Sequence, residues 1–397
     1  MLLIAMVAVF SLLGAACGGD DDDPGGGNGG AVEKTDVSVW FQGALSGPFN
    51  YLVIPSFQGA QLRIDELNAD ESYPYNITLE RGDTQGSPDN APTVVEEVVS
   101  DPDTVAVIGP QFSGESAASG DTYNESAIPF VTGAATNVAL GEEGWDYWYR
   151  AIGNDGGQGG FMGQYIASEL QPASLFVGHD KSEYGQPLAE TVRDTAEEGG
   201  VEVVGFEGVE SGQEDYSALI SAVESSGAEA FFFGGYDADF GKIAKQARDA
   251  GLDIQLASAD GSLSSTFTEL AGNVSDVVLI APTNISGDFI QKYNDEVGGE
   301  ASGVPVYAAE GYDVASLIGA GLESCGEGCS AEDAREAIKS FLDGLADEPF
   351  QGVAKEYAFA DNHELLALEE APENLFYFYE VQNGEISPLG SAAEVGL

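Results

Sequence analysis

The sequence predicts an α/β protein built as two doubly wound parallel-sheet lobes. Three observations predict it. The apolar stretches are unbroken runs such as "TVAVI" and "AFFFG" rather than alternations, as expected of parallel strands covered on both faces. Each run is followed by apolar residues at helical spacing. The strand-then-helix series restarts near residue 150, and 397 residues are long enough for two domains. Sheets of this kind bind ligands beyond the carboxyl ends of their strands.

The elements follow in order. A strand over 37–45 leads to a helix over 56–69 whose Phe57, Ala60, Ile64 and Leu67 share one face. "NITLERGD" (76–83) is the next strand, and the helix over 88–101 has Pro88 near its start, where a missing N–H is harmless. A strand over 104–110, a helix over 113–126 and a short strand over 128–133 complete the first series. The second opens with a helix over 157–170, a strand over 174–180 and a helix over 184–200 that Gly199-Gly200 closes. Strand 201–206, helix 214–227, strand 229–235, helix 237–251 and strand 254–260 come next.

Acidic residues number 68 against 13 basic ones, a net charge of −55. Such a chain repels nucleic acid, whose binding needs clustered Lys and Arg, so no nucleic-acid partner is expected. An aromatic fraction of 10% and the regular apolar periodicity argue against a disordered acidic chain. The charge reads instead as the halophilic acidic surface of a folded protein. At roughly 1 M salt the Debye length is about 3 Å, which screens the self-repulsion.

The apolar stretch Leu2–Ala16 is too short for a comfortable membrane span and fits a secretory signal. Residues 1–17 read as a lipoprotein signal peptide ending at the lipobox cysteine, Cys17, with Gly14 where a lipobox usually has Leu. Residues 18–35, beginning "GGDDDDPGGGNGG", cannot pack and read as a Gly/Asp-rich tether. The expected location is therefore extracytoplasmic, with lipid anchoring to the cell membrane. Cys325 and Cys329 in "CGEGC" suggest a local disulfide in an exported protein. Metal binding is the rival, but no second Cys pair is near and His179 and His363 are far off in sequence. No metal and no cofactor are expected.

The stretch "GPQFSGESAAS" (109–119) joins a strand to a helix at Ser113. Free amides and the helix dipole there favour an anion, while a hydroxyl at that place can equally cap the helix. Sequence physics leaves both readings open. "GNDGGQGG" (153–160) lacks the Lys-Ser/Thr of a phosphate loop, and no G-x-S-x-G or H-E-x-x-H is present. His179 with Asp180 has no nucleophile motif beside it and reads as a structural strand end. No catalysis is expected.

Seven stretches carry a resemblance: "GALSGPF" (43–49), "GPQFSGESAAS", "IPFVTGAATN" (128–137), "HDKSEYG" (179–185), "EDYSALI" (214–220), "FFFGGYDADFGKIAKQARDAGL" (231–252) and "YAAEGYDVASL" (307–317). Together they resemble the leucine/isoleucine/valine-binding proteins, the branched-chain amino-acid receptors of ABC importers, of the type I periplasmic-binding-protein fold. The resemblance implies two lobes joined by a three-crossover hinge, the first roughly 36–150 plus 282–355, the second roughly 151–281 plus 356–397. It implies that the lobes close by hinge bending on a small ligand between them.

The resemblance also assigns residues. Ser113 would hold the ligand α-carboxylate with nearby backbone amides. Ala134, through its carbonyl, and Thr136, through its hydroxyl, would contact the carboxylate and ammonium. Tyr184 and Tyr236 would touch the ligand from the second lobe, and Asp260 would pair with the ammonium. Leu52, with Tyr51 beside it, and Ala309, with Tyr307 close by, stand where the family often places an aromatic, which leaves the identity of the amino acid or amide open. The partners implied are a small-molecule amino acid, an ABC permease with its ATPase subunits, and the membrane through the lipid anchor. The alternative is a sensory ligand-binding module that signals to a membrane receptor.

Overall fold

The computed structural model describes residues 34–297, 303–366 and 372–397. The expected signal peptide, Cys17 and the tether up to residue 33 lie outside the described residues. Lys34 precedes the first strand, which begins at Thr35, one residue inside the stretch expected to be tether.

Two sheets organise the chain. The first holds β1 (Thr35–Gly43), β2 (Tyr75–Asp83), β3 (Thr104–Ile108), β4 (Phe130–Thr132) and β5 (Trp148–Arg150), all parallel, in the order β2-β1-β3-β4-β5. The second holds β6 (Ser174–His179), β7 (Glu202–Gly208), β8 (Ala230–Gly234), β9 (Gln255–Ser258) and β10 (Val277–Ala281), parallel in the order β7-β6-β8-β9-β10. The two orders are the same pattern used twice. Every residue of β3, β8 and β10 is buried, which accounts for their unbroken apolar sequences. A short ladder of β11 (Phe350–Gln351) and β12 (Glu356–Tyr357) stands apart, and β13 (Tyr377–Gln382) and β14 (Glu385–Ser391) extend the second sheet antiparallel beyond β10.

Helices follow the strands. Those of the first half are α1 (Asn50–Ala69), α2 (Ala91–Ser100) and α3 (Ser113–Glu125). The second half has α4 (Asp155–Tyr165), which runs on into a π-turn over Ile166–Leu170, then α5 (Gly185–Glu198), α6 (Ser217–Ser226), α7 (Asp237–Asp249) and α8 (Ser265–Ala271). After β10 come α9 (Asp288–Val297), α10 (Ala308–Cys325) and α11 (Ala331–Gly344). Helix α1 starts six residues before the expected position because it runs through Pro55. The carbonyl that Pro55 cannot bond belongs to Tyr51, an exposed residue, so water can satisfy it. Helix α10 ends at Cys325, which is bonded to Cys329. No helix among the described residues is long and apolar enough to cross a membrane.

The chain crosses between the sheets three times: after Arg150, after Ala281, and between Leu366 and Phe376. The second crossing returns α10 to pack along α1. That contact depends on glycine. A Cβ on Gly59 would sit 2.0 Å from the Ala308 carbonyl oxygen, and one on Gly311 would sit 2.1 Å from that of Ser56. Residues 356–366, expected with the second lobe, lie with the first. Tyr357 donates to Asp313 of α10 at 2.9 Å, and the Phe359 ring meets Tyr149 of β5 at 5.2 Å. The physical reason is Arg150, fully buried at the end of β5, whose guanidinium needs the Glu364 carboxylate.

Candidate functional site

In a sheet of this order the chain turns to opposite faces on either side of one strand pair, here β1/β3 in one sheet and β6/β8 in the other. The loops leaving such a pair frame a crevice. A cavity lies where the two crevices face each other. Its first-lobe wall carries Leu52 and Val53 after β1, Gln111, Phe112 and Ser113 after β3, and Ala134 and Thr136 after β4. Its second-lobe wall carries Tyr184 after β6, Tyr236 after β8, and Asp260 and Gly261 after β9. Tyr307, just before α10, closes the ring. The six residues singled out from the sequence, Ser113, Ala134, Thr136, Tyr184, Tyr236 and Asp260, therefore stand around one space. Of the four residues flanking the expected aromatic positions, Leu52 and Tyr307 line it, Tyr51 faces solvent and Ala309 is buried away from it.

On the first-lobe wall the helix does not use Ser113 as its cap. The cap position of α3 is Phe112, with no side-chain bond to the first-turn amides. The Ser113 hydroxyl instead accepts the Asn137 N–H at 3.2 Å, leaving its own proton free to donate. Thr132 shapes the loop beneath: its hydroxyl donates to the Pro110 carbonyl at 2.8 Å and accepts the Ala135 N–H at 2.9 Å. The Thr136 hydroxyl and both ends of the Gln111 amide are buried with no partner in hydrogen-bond geometry. Glu115, in the first turn of α3, is fully buried and pushed by that burial up to about 8, so at neutral pH it does not oppose an anion.

The second-lobe wall is built around Asp260. Its Oδ1 accepts from Gln158 Nε2 and from the Tyr184 hydroxyl, both at 2.7 Å, and its Oδ2 accepts from the Tyr307 hydroxyl. Burial pushes the phenols of Tyr184 and Tyr307 well above their ordinary pKa, so both remain donors. Tyr307 holds a left-handed backbone at φ 58°, a conformation that costs a non-glycine residue about 1–2 kcal/mol. Its ring reaches across the cleft to Asp260.

Between the two polar ends lies an apolar girdle. The Tyr236 ring meets Phe49 at 5.3 Å, Phe112 at 5.4 Å and Tyr184 at 5.1 Å. Phe49 and Phe112 belong to the first lobe and the tyrosines to the second, so the two Phe–Tyr236 contacts bridge the lobes. The Asn137 side-chain amide donating to the Glu183 carbonyl and the Tyr307–Asp260 bond also bridge the lobes.

At the hinge, Arg150 gives Nε and Nη2 to Glu364 at 3.0 and 2.6 Å, and Nη1 to the carbonyls of Ala135 and Asn137 at 2.9 and 2.8 Å. One guanidinium thus ties two crossovers to the loop that presents Ala134 and Thr136. Asn154 caps α4 by accepting from Gly156 and Gly157, and the same turn delivers Asp155 and Gln158 to Asp260. Gln111, Gln158, Asp155 and the Arg150–Glu364 pair carry no mark in the sequence. The signal available was position: Gln111 stands two residues before Ser113, and Gln158 one turn into a capped, glycine-rich helix. His179 stacks on Phe206 at 5.0 Å, and Asp180 accepts from Ser182, as structural strand-end residues do.

A family model described as periplasmic binding protein matches residues 41–385. The Leu/Ile/Val-binding protein of Escherichia coli K12 is 30% identical over 246 residues, 62% of this chain and 67% of that protein. The leucine-, isoleucine-, valine-, threonine-, and alanine-binding protein of Pseudomonas aeruginosa is 28% identical over 317 residues, 77% of this chain and 82% of that one. Among solved structures, the isoleucine complex of the branched-chain amino acid transporter substrate binding protein LivJ from Streptococcus pneumoniae has a TM-score of 0.76 at 22% identity, covering 90% of this chain and 99% of that one. The leucine binding protein LivK from Thermotoga maritima has a TM-score of 0.78 at 21% identity, covering 89% and 98%. At those identities the structural likeness speaks to the fold.

Proposed function

This chain belongs to the periplasmic binding protein family, among the leucine/isoleucine/valine-binding proteins, and from that premise we propose that it captures a free α-amino acid with an apolar side chain. It is a solute-binding protein and not an enzyme. The observation that carries the ligand reading is the polarity of the cavity: donors without protein partners at one end, a buried carboxylate ringed by phenols at the other, and aromatic rings between. An α-amino acid matches that order of charges. Its carboxylate would take the Ser113 hydroxyl and the first-turn amides of α3, its ammonium would take Asp260 and the Ala134 carbonyl, and its side chain would lie against Leu52, Phe112 and Tyr236. Because the two polar ends belong to different lobes, a zwitterion binds the closed state better than the open one, and that difference is what drives closure.

The further steps of this reading are delivery and anchoring. The loaded, closed protein presents the rims of both lobes in one relative position, which an ABC permease can distinguish from the open form. Cys17 would carry the lipid that holds the protein at the outer face of the membrane. A thermal-shift series over the twenty amino acids, run in molar salt and followed by calorimetry, tests the ligand reading. Stabilisation by leucine, isoleucine, valine or phenylalanine is expected, and indifference to every amino acid overturns it. Cys17→Ser tests the anchor: the variant is expected in the medium rather than the membrane fraction.

A further inference from the structure

Two buried carboxylates stand at the second-lobe end of the cavity, and only one of them lines it. Asp260 is on the wall; Asp155, in the first turn of α4, is buried off it. The side-chain amide of Gln158 reaches both, at 2.9 Å to Asp155 Oδ1 and 2.7 Å to Asp260 Oδ1. The Thr136 hydroxyl, on the cavity wall, lies beside Asp155 and favours its charged form, but it is not aligned as a full hydrogen bond and does not offset the burial. The other groups facing the pair are the phenols of Tyr184, Tyr236 and Tyr307, which carry no charge, and Arg150. Arg150 has committed its nitrogens to Glu364 and to two backbone carbonyls. Two negative charges placed so close, dry and without a cation of their own, are costly to hold together. Burial raises the pKa of both carboxyls, and the Asp260 charge raises that of Asp155 further.

We infer that in the empty protein Asp155 and Asp260 carry one proton between them, and that the ammonium of an incoming ligand displaces it. The inference rests on the amino-acid reading above and adds a proton balance to it. The singly protonated pair plus a zwitterion gives the doubly ionised pair with the ammonium against Asp260, and one proton leaves to solvent. Only that O–H bond breaks. Asp155 is a positioning residue that acts through Asp260 and does not touch the ligand. The sign follows: ligand binds the deprotonated pair, so affinity rises with pH, by up to about tenfold per unit, until the empty pair has itself lost the proton, and is flat above that point. In acid the proton wins and the ligand is released.

The test is calorimetry on the intact protein in molar salt, in two buffers of different ionisation enthalpy. The probe is whichever of L-leucine, L-isoleucine, L-valine and L-phenylalanine gives the largest thermal shift. At about pH 6.5 the heats should differ between buffers by the amount that one released proton requires, and between about pH 7.5 and 5.5 affinity should fall at least about tenfold. Asp155→Asn keeps the shape and an oxygen for Gln158. It should bind with the proton release gone and the pH profile flat, whereas a change that merely damaged the fold would remove binding and leave any residual pH dependence as it was. Equal heats in both buffers with an affinity constant over that range overturn the inference and leave the amino-acid reading standing. So does full proton release from a folded Asp155→Asn protein. Failure of all amino acids to bind overturns both.

Discussion

The two walls of the cavity are prepared in opposite ways. On the first-lobe wall, both ends of the Gln111 amide are buried without a partner in hydrogen-bond geometry, and the Ser113 hydroxyl keeps a proton to give. On the second-lobe wall, Asp260 already accepts from Gln158, Tyr184 and Tyr307. The ligand's anionic end therefore meets donors that gain a bond, while its cationic end must join a carboxylate that already holds three donors. Binding at the anionic end resembles filling a set of loose ends; binding at the cationic end is an exchange, in which a charge-assisted bond is made against bonds and a proton already present. The sensitivity of affinity to mutation should differ accordingly.

Asp260→Ala tests the exchange and should have the largest effect. It strips the buried ammonium of its counter-charge and leaves the hydroxyls of Tyr184 and Tyr307 without their acceptor, while the Gln158 amide keeps only Asp155. A cost of about 3–5 kcal/mol in binding is expected by calorimetry, because breaking one side of a buried charge pair leaves the other uncompensated. Unchanged affinity would mean that the cationic end lies elsewhere. Ser113→Ala tests the loose ends and should cost about 1.5–3 kcal/mol, the worth of one hydrogen bond to a charged group. The comparison sharpens with a ligand whose α-carboxylate is replaced by a carboxamide. That analogue should lose affinity for the native protein and much less for Ser113→Ala. Equal losses in both proteins would remove Ser113 from the anionic end.

The same asymmetry marks what a sequence can disclose. Ser113, Tyr184, Tyr236 and Asp260 each follow a short buried strand with an apolar centre, so the strand pattern already places them at carboxyl ends, where two sheets of this order bring them together. The groups that prepare Asp260 are different. Tyr307 reaches it only because α10 packs on α1 through Gly59 and Gly311 and holds a left-handed residue at its start. Gln158 and Asp155 reach it from a helix expected over 157–170, but nothing in its glycine-rich opening tells which way its first turn faces until Asn154 is seen to cap it. Arg150 and Glu364, the hinge pair, are 214 residues apart, and nothing local in either segment names the other. The late strands β13 and β14 and the return of 356–366 to the first lobe were hidden for the same reason: both are settled by pairing with distant segments. What periodicity encodes was legible; what depends on two remote segments meeting was not.

Tyr307→Phe is the finest probe of the difference, and its effect should be the smallest. Asp260 Oδ1 serves two donors while Oδ2 serves Tyr307 alone. A carboxylate oxygen offers two lone-pair directions, so Oδ2 keeps one for an ammonium without losing the phenol. The hydroxyl then stays bonded in the loaded site and acts as a bridge between lobes, made only in the closed state. If the empty protein is mostly open, removing the bridge weakens the loaded form alone and costs its full worth. If the empty protein is mostly closed, both forms lose it and the cost vanishes. Either way affinity should fall by no more than about 1 kcal/mol, less than about tenfold, and in the mostly closed case small-angle scattering of the empty variant should show it shifted toward the open form. A gain in affinity would reverse the picture: Tyr307 would be a competitor that the ammonium has to evict, and the second-lobe wall would be self-inhibited rather than pre-assembled.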